Sequence, residues 1–305
     1  SIKHYLAYDV ECSSGGAGAH FAETHTDNDS PGGANGFTCQ APGVDRFHMN
    51  ANLSEPDLVE YYGEVFRRPL SAGVSAIMCA FPSVNGTPSC ANGLLQNRLA
   101  RDTYGFDGFI VTDCGGLPFV NQDHYMTSSP AEAVATAITN GLDSECGIGG
   151  PQGPGHYIHW GTIHDSLAQG LMNETDLDRA AIRIWRTAFR MGLFEENGPW
   201  DHLGFEHLDS VENQQDSFQA AVQSMTLLQN KNGLLPLKLS SIKTLAVVGP
   251  FTFATQNIKG DYTGPNIRVL ENSVGTRMQA RAKESPSTTL IYPAGTSNIN
   301  GPDSM

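Results

Sequence analysis

The stretch Gly108-Phe109-Ile110-Val111-Thr112-Asp113-Cys114-Gly115-Gly116 carries the reading of the fold. An apolar run of this length bounded by glycine is what a strand buried on both faces looks like. It delivers a carboxylate, Asp113, into a cysteine and two glycines. In α/β barrels the C-terminal ends of the strands hold the chemistry, so Asp113 is a candidate catalytic group. A cap for the following turn or helix is the alternative use of the same side chain.

Upstream, Ser54 is a candidate N-cap with Asp57 three residues on and Pro56 in the first turn. They predict a helix over 54–72 with a stripe of Leu58, Tyr61, Tyr62 and Val65, stopped by Gly73. Val74 to Phe81 reads as a buried strand, followed by the turn Pro82-Ser83-Val84-Asn85-Gly86. Leu94, Leu95, Leu99 and Tyr104 recur at helical spacing within 91–104, and Gly105 closes that segment. Downstream, Ser129-Pro130 opens a helix over 130–140, and Gly141 to Cys146 reads as the next strand end. Helix and strand in alternation imply a parallel sheet or barrel.

Two helices fill 162–194. Ile163, Leu167 and Leu171 stripe the first; Leu177, Ala181, Ile184, Trp185, Ala188 and Phe189 stripe the second, after a turn at Asn173-Glu174-Thr175-Asp176. A linker over 195–210 and a helix over about 212–229 lead to the apolar runs Thr244–Pro250 and Thr289–Tyr292, strands of a second α/β unit. At the other end, residues 1–11 read as a strand end and a turn, and 13–50 as a long surface loop rich in Gly, Ser, Asn and Asp.

The chain has 305 residues, room for one large domain or two medium ones. Its 18 Lys and Arg against 32 Asp and Glu, a formal charge of −14, argue against a nucleic-acid partner. With no run of 18 apolar residues there is no helical membrane span. Six cysteines without a C-x-x-C pair argue against zinc ribbons and leave two readings, three disulfides or scattered buried thiols. Sequons at Asn28, Asn52, Asn85 and Asn173, and a chain with only 16% charged residues, point to a secreted protein. His20 and His25 are spaced i, i+5, not the i, i+4 of a zinc-binding helix, and Gly147–Gly155 lacks the Lys-Ser/Thr of a phosphate loop. No metal or cofactor is expected. The chain opens on Ser1 with no capping or turn preamble, and its second α/β unit is too short to bury its own sheet, so both ends are expected to be cut from a longer protein.

Met78-Cys79-Ala80-Phe81-Pro82-Ser83-Val84-Asn85-Gly86-Thr87-Pro88-Ser89-Cys90-Ala91-Asn92, with Gly105-Phe106-Asp107-Gly108 leading into the opening strand and Asp113-Cys114, closely resembles glycoside hydrolase family 3 in its xylosidase-like branch. Lys3-His4, followed by Tyr8-Asp9-Val10-Glu11, resembles that family's sugar-binding Lys-His strand. Leu227-Leu228-Gln229-Asn230, Leu234-Leu235-Pro236-Leu237 and Gly260-Asp261-Tyr262 resemble its passage into a second domain. The likeness covers nearly the whole chain apart from 13–50.

The resemblance implies the later part of a (β/α)8 TIM-type barrel over 1–194, a linker and connecting helix over 195–240, and the start of an α/β sandwich over 241–305. It implies a retaining exo-β-glycosidase, a β-xylosidase before a β-glucosidase or an α-L-arabinofuranosidase, acting on oligosaccharides or aryl glycosides. A non-catalytic carbohydrate-binding relative is the reading from a different class. Asp113 matches the nucleophile. Lys3 and His4 would donate hydrogen bonds to sugar hydroxyls, and Met78 would line the pocket. Phe81 and Pro82 depart from the family's Tyr and Asn, which removes a hydroxyl from beside the nucleophile. Cys114 and Cys146 would be bonded beside the pocket, narrowing it toward a pentose. Cys79–Cys90 would form a second bridge, and Cys12–Cys39 is the pair that remains. No motif for the acid/base Glu is found; Glu271 and Glu284 qualify by residue type alone, so the 305-residue chain is expected to be inactive by itself.

Overall fold

The computed structural model describes residues 1–10, 45–147, 155–198, 200–249, 251–255, 273–285 and 287–292. They fall into two compact units, Ser1–Asp201 and His202–Met305. The first has the α/β architecture expected of a TIM-type barrel segment. Strand β1 (Ile2–Tyr5) is followed by the short β2 (Asn50–Ala51), helix α1 (Glu64–Ser71), β3 (Ala76–Cys79), the two-residue strands β4 (Ser83–Val84) and β5 (Thr87–Pro88), and helix α2 (Leu94–Thr103). Then come β6 (Phe109–Thr112), α3 (Leu117–Gln122), α4 (Pro130–Thr139), α5 (Trp160–Ala168) and α6 (Glu174–Arg190).

The opening stretch is a strand, as its apolar run predicts. β1, β3 and β6 form one parallel sheet in that order, with Cys79 opposite Thr112 and Tyr5 opposite Cys79. Ser144 adds a parallel bridge to Val111 on the far side of β6, at the strand end predicted over 141–146. Ile77 and Ile110, fully buried on neighbouring strands, pack with Leu95 and Leu99 of α2 and Val134 and Ile138 of α4. Each such side chain contributes roughly 1.5–3 kcal/mol of burial. Between β4 and β5, Asn85 and Gly86 both hold positive φ, 50° and 82°, the two-residue turn that Asn-Gly favours.

Two predicted stripes are corrected. Ser54 does exchange hydrogen bonds with Asp57, but the helix begins as a wide π turn over Asp57–Gly63 before α1. The wider winding moves the buried face to steps of four, Leu58, Tyr62, Phe66 and Leu70, leaving Tyr61 and Val65 in solvent. On α6 the inward positions are Leu177, Ala180, Ile184 and Thr187, whereas Trp185 and Phe189 lie outside against Phe194. Arg183 sets that rotation, because its guanidinium must reach the buried carboxylate of Asp143 at 2.9 Å.

Asp143 is a structural hub. One oxygen accepts from the Ile110 N–H at 2.8 Å and from Arg101 at 2.6 Å, and the other from Arg183. Burial pushes the Asp143 carboxyl up and the Arg101 guanidinium down, and the pairing of the two opposes both shifts.

The second unit contains α7 (Val211–Ser224), β7 (Thr244–Ala246), α8 (Val274–Ala282) and β8 (Thr289–Ile291). β7 and β8 pair in parallel, Thr244 opposite Thr289, with α8 between them in sequence. Ser273 caps α8 through the Thr276 N–H, and Thr288 ties the start of β8 to the carbonyls of Leu239 and Ile242. Among the described residues no helix is long and apolar enough to cross a membrane.

Removing the hub leaves the largely buried Arg101 and the partly buried Arg183 guanidinium groups without their carboxylate. Asp143→Ala is expected to cost about 3–5 kcal/mol in urea unfolding. The exposed pair of Arg190 with Asp107 is a contrast, and Arg190→Ala should leave the midpoint nearly unchanged. Equal effects of the two substitutions would overturn the hub assignment.

Candidate active site

β6 ends at Thr112, and the next residue, Asp113, stays in register because its N–H donates to the Cys79 carbonyl at 3.1 Å. The chain then turns back sharply. Gly116 N–H donates to the Asp113 carbonyl, and a Cβ at Gly116 would lie 2.9 Å from that same oxygen, so glycine is required by close approach. One carboxylate oxygen of Asp113 accepts the Cys114 N–H at 2.8 Å; the other lies 3.3 Å from His4 Nε2. His4 comes from β1, two strands away, so the parallel register brings the two predicted residues together across β3.

Asp113 is buried, with a side chain 12% exposed. Burial pushes its carboxyl above the ordinary aspartate value, and His4, the Cys114 N–H, Lys3 and Arg46 pull it back toward ionisation. Lys3 is exposed at the same strand end. Met78 sits opposite Val111, half-buried on the sheet face that does not meet the helices. Phe81 presents an aromatic ring to Tyr8, Phe47 and Phe119, with centroids 6.0, 5.3 and 5.1 Å away.

Both expected bridges in the described residues are formed. Cys114 bonds to Cys146 with a Cα separation of 4.3 Å, and Cys79 bonds to Cys90 at 5.2 Å. Backbone bonds brace the first bridge: Gly115 N–H donates to the Cys146 carbonyl, and Cys146 N–H to Thr112 Oγ1. Cys12, Cys39, His20, His25, Asn28, Glu271, the Gly260-Asp261-Tyr262 segment and most of 147–155 lie outside the described residues. Glu284 is exposed in the second unit and paired with Arg281. Among the described residues no three His, Cys, Asp or Glu side chains are arranged to hold a metal ion.

A second polar group stands beside the site, built from the end of the segment whose sequence predicts a long surface loop and from the residues after α3. Asp45 accepts from the backbone of Phe47 and His48 and from His48 Nδ1 at 2.8 Å. The other ring nitrogen of His48 lies 3.5 Å from Asp123, whose two oxygens accept no hydrogen bond among the described residues. Next to it, His124 Nε2 donates to the Phe81 carbonyl and Nδ1 accepts from Ser83 Oγ, a neutral tautomer that burial favours by pushing His124 down. The run Asp45-Arg46-Phe47-His48 was the available signal: ionic and aromatic residues clustered at the end of a Gly/Ser-rich segment. A cleft of about 590 Å³ lies elsewhere, beside Phe106 and Asp107 before β6 starts, lined by Arg179, Arg183 and Arg186. It is at the end of the strand away from Asp113, the end that serves stability in barrels.

A carboxylate at the C-terminal end of a parallel strand, with a histidine and a lysine from another strand of the same sheet, stands where α/β barrels of the TIM type keep their chemistry. Residues 42–187 match the family model described as the glycosyl hydrolase family 3 N terminal domain, and the chain belongs to that family. It is 34% identical over 256 residues to a protein of Aspergillus clavatus named "Probable exo-1,4-beta-xylosidase", covering 81% of this chain and 32% of that protein. A solved family 3 exo-beta-xylosidase, bound to a xylobiose aziridine activity-based probe, superposes with a TM-score of 0.70 at 28% identity over 98% of this chain and 33% of its own. A beta-glucosidase from Listeria innocua gives a TM-score of 0.60 at 25% identity over 80% of this chain and 32% of its own. The chain thus spans about a third of the length of these relatives.

Asp123 offers a test of the polar group. Burial holds its carboxyl above the usual range, against the pull of His48 and with Asp45 adding to the rise. A raised folded-state value means that stability is present below the unfolded value near 3.9 and is lost as pH rises toward the folded one. Asp123→Asn removes that loss. Its melting temperature relative to wild type should therefore climb between pH 4 and pH 7, and a gap that stays constant with pH would contradict the assignment.

Proposed function

We propose that the protein carrying this chain is a retaining exo-β-glycosidase that releases terminal xylose from xylo-oligosaccharides, with Asp113 as its nucleophile. The observation that supports this reading is the Asp113 carboxylate at the strand end, 3.3 Å from His4 Nε2 and flanked by the Cys114–Cys146 bridge. Asp113 attacks the anomeric carbon, the bond to the leaving oxygen breaks, and a second carboxyl group protonates that oxygen. The same second group then takes a proton from water as the water cleaves the glycosyl ester and frees Asp113. That second group comes from the sandwich domain.

Each remaining residue has a physical part. Lys3 and His4 donate to sugar hydroxyls, and their charge also favours the ionised nucleophile. Met78 supplies apolar contact. The bridge from Cys114 to Cys146 fills the space in which a hexose CH2OH would sit, which favours a pentose. Two disulfides suit an oxidising compartment and hence a secreted enzyme. A β-glucosidase is the alternative within the class, favoured by the Listeria innocua neighbour. A non-catalytic binder is the alternative outside it, favoured by a Phe81 ring with no hydroxyl to offer the carboxylate.

In the native-length protein, Asp113→Ala should lower hydrolysis of nitrophenyl β-xyloside on the order of 10⁴-fold or more. A 2-fluoro-xyloside trap should label Asp113, and a label on another residue would refute the role. The ratio of kcat/KM for aryl β-xyloside, β-glucoside and α-L-arabinofuranoside decides among substrates. Sugar binding with no turnover of any of the three would establish the binder instead. Replacing both Cys114 and Cys146 by Ala should relax the preference for xylose over glucose by roughly 10-fold or more, the scale of one or two hydrophobic contacts.

A further inference from the structure

His4 Nε2 lies 3.3 Å from the Asp113 carboxylate, on a side chain that is 22% exposed. An imidazole turns about two side-chain torsions, and the second of them has a broad range. The approach to Asp113 therefore depends on what lies against the ring. Tyr8 does, with ring centroids 5.2 Å apart and planes tilted by 52°. The same Tyr8 ring meets Phe81, with centroids 6.0 Å apart. A Cβ built at Gly116 would lie 3.4 Å from the Phe81 ring, and the Gly116 N–H is bonded to the Asp113 carbonyl. The contacts close a circuit. It runs from the Asp113 carboxylate through His4, Tyr8 and Phe81 to the turn that carries Asp113 itself.

The backbone is built to return Tyr8 to this place. Residues four apart on an extended strand are separated by about 13 Å, so continuing β1 would carry Tyr8 away from His4. Instead the strand is pinned at Tyr5, whose hydroxyl donates to the Leu95 carbonyl at 3.0 Å and whose carbonyl accepts the Ala80 N–H at 2.9 Å. Leu6 and Ala7 are buried, and Ala7 has a φ of 57°, a left-handed conformation that a residue with a Cβ adopts only at a cost. The chain bends back there. Just beyond, Asp9 accepts the hydroxyl of Tyr62, which comes from the π turn before α1 and packs against the core. Tyr8 is thus fixed on both sides in sequence. Strain of this kind persists where the surroundings determine the conformation, and functional sites are where it collects.

We propose that Tyr8 is a positioning residue for His4: its ring, folded back by Ala7, holds the imidazole with Nε2 on the Asp113 carboxylate and ties that orientation through Phe81 to the nucleophile's turn. The working contact is ring against ring, so a phenylalanine serves in its place and an aliphatic side chain does not. The use of this placement rests on the catalytic reading of Asp113; the placement itself does not.

The test uses native-length protein. Tyr8→Leu should lower kcat/KM for nitrophenyl β-xyloside roughly 10- to 100-fold, the scale of a displaced group beside the reacting atoms, with Tyr8→Phe within about 3-fold of wild type. His4→Ala removes the group through which Tyr8 acts, so adding Tyr8→Leu to it should cost less than about 2-fold more. A Tyr8→Leu loss that persists in full beside His4→Ala overturns the proposal, as does no loss at all or an equal loss in Tyr8→Phe. Crystal structures of the two variants give the placement without turnover. His4 Nε2 should stay within about 3.5 Å of Asp113 in Tyr8→Phe and turn away in Tyr8→Leu. An unmoved His4 in Tyr8→Leu overturns the proposal whatever the activity. Should that variant not fold, Tyr8→Met takes its place, and failure of both to fold also overturns it by making Tyr8 a structural residue. Failure of the fluoro-xyloside to label Asp113 in wild type refutes the catalytic reading and leaves the variant structures to decide the placement.

Discussion

Asp143 keeps its carboxylate wholly out of solvent and gives its oxygens to the Ile110 N–H, Arg101 and Arg183. Those three partners belong to β6, α2 and α6, so one buried anion holds a strand and two helices at a common height. Ile110 lies on β6 three residues before Asp113, which follows that strand directly, so where the anion holds Ile110 it also sets the depth of the candidate nucleophile. A buried ion pair of this kind is a poor source of net stability compared with apolar packing, but it is intolerant of misplacement. That intolerance is useful in a fold whose chemistry depends on where a strand stops.

The site follows from the same logic at the other end of the strand. Desolvation works against an ionised Asp113, and the surroundings oppose it with His4, a backbone N–H and two further cations. None of these groups is adjacent to Asp113 in sequence except Cys114. Disulfides fix the two loops that would otherwise be free to move: Cys114–Cys146 joins the ends of neighbouring strand segments, and Cys79–Cys90 anchors the end of β3 next to the Phe81 turn. Behind that turn, His124, next in sequence to the Asp123 that faces His48, holds Phe81 by its backbone carbonyl.

Much of the fold could be read from local patterns. The buried run at β6, the Ser129 cap with Pro130, the Asn85-Gly86 turn and the Asn173 turn each occur where residue chemistry places them, because each depends on neighbours within a few positions. The helix faces were harder. A π turn before α1 displaced one apolar stripe, and an ion pair through Arg183 rotated the other, and neither effect has a sequence period. Motifs mark Asp113, Lys3, His4, Met78, Phe81, Cys114 and Cys146 in the sequence, whereas Arg46, His48, Asp123 and His124 carry no motif. Their two segments have no repeat to mark them, and their importance comes from contacts spanning up to 75 residues in the chain, as between His48 and Asp123.

Sequence alone determined that a parallel strand ends in a carboxylate, that glycines allow the chain to turn back there, and that a Lys-His pair belongs to another strand end. Those are matters of covalent order and short-range propensity. Tertiary structure decided that His4 stands 3.3 Å from Asp113, that the Phe81 ring lies between a guanidinium and the nucleophile's turn, and that Asp123 is buried with His48 Nε2 3.5 Å away and no hydrogen-bond donor among the described residues. The physical reason is that desolvation and Coulomb terms depend on distance in space. A chain that folds parallel strands side by side brings together charges that its sequence keeps far apart.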